Sequence, residues 1–77
     1  MQSNIQIEYT DTFCGEANYA WVKRFELTVP EELSTKTLMR IAKELCGLAG
    51  VRGQWDECSD SLKFVPANSN TALFITF

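Results

Sequence analysis

The sequence predicts an α+β domain: a single antiparallel sheet with one helix packed on one face, in the order β-β-α-β-β-β. Three observations predict it. Apolar residues recur every second position in several short segments, they recur at a helical period in one segment only, and turn-forming residues separate neighbouring strands by too little chain for a crossover. Because 77 residues bury only about 60–65% of the surface of the unfolded chain, one domain spanning 1–77 is expected, without a large enclosed cavity.

The first strand is carried by Ile5, Ile7 and Tyr9 alternating with Gln6, Glu8 and Thr10. A second alternation runs from Tyr19 to Val29, with Tyr19, Trp21, Lys23, Phe25, Leu27 and Val29 on one face. Between them, Asp11 to Asn18 holds Asp, Thr, Gly and Asn, so a hairpin with a wide connection is expected. Pro30 stops the second strand, Glu31-Glu32-Leu33 turns, and the Ser34 hydroxyl caps a helix. Leu38, Ile41, Ala42, Leu45 and Leu48 form its apolar stripe, Lys36, Arg40, Lys43 and Glu44 point away, and Gly47 or Gly50 ends it. Gln54 to Cys58 and Ser61 to Val65 read as strands joined through Ser59-Asp60. Pro66 closes the pair, Asn68-Ser69-Asn70 turns, and Thr71 to Phe77 is the last strand. The bulky set Trp21, Phe25, Leu27, Phe64, Leu73, Phe74, Ile75 and Phe77 exceeds what one short helix covers. Part of it is expected to form a second cluster or a partner-binding patch.

Composition narrows the function classes. Ten acidic against seven basic residues give a charge of −3, which disfavours nonspecific nucleic-acid binding, a process driven by counterion release at basic surfaces. No apolar run approaches the length that spans a bilayer and Met1 to Asn4 has no leader character, so a cytoplasmic protein with no membrane association is expected. Cys14, Cys46 and Cys58 form no CxxC pair and the chain has no histidine. Reduced thiols are therefore expected, with Cys46 buried on the helix and Cys14 exposed.

Catalysis requires a positioned nucleophile, acid or base. Without histidine, Cys14 would depend on Lys23 or Arg24 for activation, and the plain reading is a loop thiol. Asp11 with Glu16, and Asp56 with Glu57 and Asp60, are the two acidic groups that a small hydrolase or a divalent ion would use. Neither has a metal-binding pattern, so no catalytic residue, metal or cofactor is assigned. Gly47, Gly50 and Gly53 follow the helix rather than precede it, which makes them turn residues and not a phosphate loop.

What remains is the density of polar and aromatic residues between Tyr9 and Arg24, more than a plain connection requires. Asp11, Glu16, Asn18, Tyr19 and Trp21, with Trp55 further on, are the candidates for contact with a partner, since Trp and Tyr combine apolar area with a polar handle. The plain alternative is that these residues lock an unusual turn.

At Tyr-Thr-Asp-Thr-Phe-x-Gly-Glu-Ala-Asn-Tyr-x-Trp-Val-Lys-Arg, Tyr9 to Arg24 here, the chain resembles a family of small uncharacterised proteins from phages, plasmids and other mobile elements. The similarity extends to Gly-Leu-x-Gly-Val-Arg at Gly47 to Arg52 and Leu-Phe-Ile-Thr-Phe at Leu73 to Phe77, with glycine also found at the position of Cys14. The resemblance implies a small accessory protein in a bacterial cytoplasm. Inhibitors of host defence complexes, anti-CRISPR proteins among them, are of that setting and size. The expected function is non-enzymatic binding of a protein partner, with a homodimeric assembly module through an edge strand or sheet face as the alternative.

Overall fold

In the computed structural model, which describes residues 2–57, 60–67 and 69–77, the chain runs β1 (Gln2–Phe13), β2 (Glu16–Pro30), α1 (Thr35–Leu45), β3 (Gly53–Glu57), β4 (Ser61–Pro66) and β5 (Thr71–Thr76). The readings of Met1, Cys58, Ser59 and Asn68 lie outside the described residues. The fold is α+β, with one antiparallel sheet of five strands in the order β2-β1-β5-β4-β3 and a single helix among the described residues. β1 therefore lies between its own hairpin partner and the last strand of the chain.

The first hairpin is longer and its connection tighter than the composition predicts. β1 and β2 pair from Gln2↔Pro30 to Phe13↔Glu16, leaving only Cys14 and Gly15 to reverse the chain. Both have positive φ, 54° and 81°, the geometry of a type I′ turn whose twist matches that of the flanking strands. The polar residues expected to form a wide loop instead form a bulge. Thr10 pairs with Val22 and Thr12 with Ala17, so Asp11 alone faces the four residues Asn18 to Trp21. Pairing with β5 ends at Asp11↔Thr71, and the Thr12 N–H donates to the Asn70 carbonyl at 2.8 Å. Beyond that point the hairpin projects from the sheet.

Helix α1 is capped as its sequence dictates. The Ser34 hydroxyl accepts from the Thr37 N–H at 3.2 Å. At the other end the Leu48 N–H reaches the Lys43 carbonyl and the Gly47 N–H the Glu44 carbonyl, the two bonds of a Schellman motif. Its inward line is rotated from the expected stripe. Leu38, Ala42 and Cys46 follow an i, i+4, i+8 spacing and are buried, which leaves Ile41 half-buried and turns Leu45 to solvent. Lys43 does not point away as expected. Its Nζ donates to the Val51 carbonyl at 2.6 Å and lies 4.8 Å from the centre of the Phe64 ring.

Leu38, Ala42, Cys46 and Leu48 belong to one buried cluster with Ile5, Ile7, Tyr9, Leu62, Phe64, Leu73 and Ile75. Phe25, Leu27, Val29 and Trp55 pack against it, partly buried. Most of the bulky residues that looked surplus thus share one core. Phe74 lies on the opposite face with the Lys63 ammonium 5.8 Å from its ring, and Phe77 is exposed. That opposite face is polar, since alternation puts Asn4, Gln6 and Glu8 of β1 beside Thr28, Glu26 and Arg24 of β2.

Candidate functional site

The bulge is organised by Asp11. Its Oδ2 accepts from the Asn18 amide at 2.9 Å and its Oδ1 from the Ala20 N–H at 2.9 Å, with the Thr10 hydroxyl oxygen 3.3 Å from Oδ1. The Thr10 hydroxyl also lies 2.7 Å from the Trp21 carbonyl, and Thr10 is fully buried, so the bulged segment is tied to the strand beneath it. Three extra residues would otherwise leave backbone groups without ladder partners, and a short acidic side chain opposite them supplies acceptors. Tyr19, at the crest, has a φ of 56°, a conformation that a non-glycine residue adopts only when its surroundings hold it there.

Simple alternation puts Tyr19 and Trp21 on one face, and the bulge separates them. The Tyr19 hydroxyl crosses to the polar face and donates to Glu8 Oε1 at 2.7 Å. Arg24 Nε donates to Glu8 Oε2 at 2.9 Å. Trp21 instead packs edge-on against Tyr9, ring centres 5.2 Å apart, and the Tyr9 hydroxyl donates to Thr71 Oγ1 at 3.0 Å. Glu8, Tyr19 and Arg24 line one side of an open depression of about 280 Å³ that also reaches Phe74 and Thr76. Sequence reading missed Glu8, Thr10 and Arg24 as members of this constellation. Glu8 and Arg24 both sit on outward positions of β1 and β2, and only the register shows that they are opposite one another.

The charges have definite states. Hydrogen bonds from Tyr19 and then Arg24 hold the Glu8 carboxyl below its ordinary value, and those from the Asn18 amide and the Ala20 N–H do the same for Asp11. The Glu8 carboxylate in turn raises the Tyr19 phenol, and burial raises the Cys46 thiol. Near neutral pH the two carboxylates are therefore anions engaged as acceptors, and the phenol keeps its proton. Such groups present fixed hydrogen-bonding positions rather than a proton poised for transfer.

Of the other candidates, Glu16 is exposed at the turn opposite Phe13, which is 70% exposed. Tyr19 is 49% and Trp21 42% exposed, so three aromatic side chains lie on the projecting end of the hairpin. The structure brings Asp11 and Asn18 together, sends Tyr19 and Trp21 from the same bulge to Glu8 and Tyr9 respectively, and leaves Trp55 apart on β3, its ring 4.8 Å from that of Phe64. Asp56 and Glu57 are consecutive on β3 and so point to opposite faces. Among the described residues no group of three or more Cys, Asp or Glu could hold a metal ion, and no helix is long and apolar enough to cross a membrane. The chain matches no family model, no curated protein and no solved structure.

Proposed function

We propose that this chain is a non-enzymatic binding protein that docks on a protein partner through the end of the β1–β2 hairpin. The observation that carries the reading is the exposure of Phe13, Tyr19 and Trp21, with Tyr19 and Trp21 on a segment that Asp11 fixes and Phe13 paired with Glu16 beside the two-residue turn. Aromatic groups held in place before contact lose little conformational entropy on binding, and such anchors dominate protein interfaces. The resemblance of Tyr9 to Arg24 to proteins of mobile elements supports a cytoplasmic partner of the host cell, with a defence complex of the kind blocked by anti-CRISPR proteins as the first target to examine.

The test is capture of partners by the tagged protein from a bacterial lysate, beside a Phe13→Ala/Glu16→Ala variant of matching thermal stability. One complex enriched by the wild type and lost with the variant is the expected result. An equal set of proteins in both samples would overturn the reading and leave the hairpin end a purely structural element.

A further inference from the structure

We propose that β2 pairs with β2 of a second copy of this chain, antiparallel and centred on Phe25, joining the two five-stranded sheets into one. β2 ends the sheet order, and among the described residues no strand pairs with its outer edge. The part of β2 in unbroken register with β1 is Val22 to Pro30, nine residues of regular strand with one edge free. An edge of that length is a template for strand addition unless something blocks it.

Self-pairing about a two-fold axis perpendicular to the sheet must place like faces opposite each other, so the axis passes through a residue and the choices are few. An axis at Arg24 sets Arg24 against Arg24, and one at Glu26 sets Glu26 against Glu26; both oppose like charges. An axis at Glu26 or Leu27 also draws Pro30, which has no N–H to donate, into the new ladder. With the axis at Phe25, Arg24 faces Glu26 of the second copy and Glu26 faces its Arg24, two opposite-charge pairs on the polar face. On the other face Phe25 meets Phe25, and the stem of Lys23 lies against Leu27. The ladder then spans Val22 to Thr28, ending before Pro30 on one side and before the bulge on the other.

The groups are free to take these roles. Arg24 uses Nε on Glu8, its side chain is 66% exposed, and its guanidinium has further N–H donors. Glu26 is exposed, and its recorded partner is the Gln6 amide at 3.5 Å. Pairing through β2 leaves both hairpin ends free and directs them to opposite ends of the combined sheet.

Sedimentation velocity from micromolar to millimolar concentration tests this. The wild type is expected to approach twice 8.7 kDa. Glu26→Arg and Arg24→Glu each turn two attractive cross-strand pairs into two repulsive ones, and each is expected to weaken the dimer at least about tenfold. An equimolar mixture of the two variants restores both pairings and is expected to dimerise again. Among the described residues Glu26 takes part in no ion pair, so Glu26→Arg decides by itself if Arg24→Glu, placed beside Glu8, does not fold. A wild type that stays at 8.7 kDa throughout, a Glu26→Arg variant that dimerises as the wild type does, or a mixture of folded variants that stays monomeric would each overturn the proposal.

Discussion

Replacing Thr10 by Val tests whether the bulge is held from beneath. Thr10 is fully buried, and its hydroxyl lies 2.7 Å from the Trp21 carbonyl. Valine keeps the branched shape but leaves that carbonyl without the donor. Losing the bond and stranding a part-buried acceptor costs about 1–2 kcal/mol. In a domain of this size that lowers Tm by about 4–16 °C. Thr10→Ser keeps the hydroxyl and removes a buried methyl, which costs about 1 kcal/mol, so melting alone does not separate the two variants. Amide hydrogen exchange does. The Ala20 N–H, bonded to Asp11, is expected to exchange faster in Thr10→Val than global stability accounts for, and in Thr10→Ser only as fast as it accounts for. Unchanged melting of Thr10→Val, or exchange at Ala20 that tracks global stability in both variants, would refute the claim that this hydroxyl fastens the bulge.

Three other substitutions have outcomes set by the geometry. Cys14 sits at φ 54° before Gly15, so Cys14→Asn creates the preferred Asn-Gly type I′ turn and should raise stability by about 0.5–1 kcal/mol, read as a higher urea midpoint at unchanged slope. Glu8 has a lowered folded pKa, so its contribution is complete above its ordinary 4.5 and is lost as pH falls through the folded value. Glu8→Gln should flatten that part of the acid limb in pH-dependent urea unfolding. The same variant should bring the Tyr19 phenol back towards 10.0, read by phenolate absorbance. Wild-type stability from Tyr19 is complete below 10.0 and lost as pH rises through its raised value. Finally, a Cβ at Gly53 would overlap the Val65 carbonyl oxygen and lie 2.7 Å from Phe64 Cζ, and Phe64 is fully buried, so Gly53→Ala should cost about 1–3 kcal/mol in urea unfolding.

The fold class was legible because its signals are local. Alternation at Ile5, Ile7 and Tyr9, the Ser34 cap and the glycine after α1 each act within a few residues, and all three stand in the structure. The bulge was not legible, because nothing in a period of two shows that four residues of one strand face a single residue of the other. That arrangement depends on Asp11 reaching Asn18 and Ala20, seven and nine residues away, across a turn. The burial of Cys46 was legible, but the rotation of α1 that turns Leu45 to solvent was hidden for a related reason. Both residues suit an amphipathic helix, and the choice is made by the sheet residues that share their core.

The same register explains why Tyr9 to Arg24 is so rich in polar and aromatic residues. Asp11 and Asn18 face each other within the bulge, Thr10 fastens it, Tyr19 ties its crest to Glu8, and Trp21 ties its end to Tyr9. Most of the segment therefore has a structural reason for its residue types, whatever it also contacts. An alanine at Tyr19 would remove a hydrogen bond and change a residue held at φ 56°, so a loss of binding there could not be separated from a loss of shape. Phe13 and Glu16 differ: both are exposed, and neither carries a side-chain hydrogen bond among those found in the described residues. A large aromatic residue 70% open to water stabilises little by burial, and its removal leaves the bulge intact. Phe13 is therefore the position at which the binding and structural readings of this hairpin predict different results.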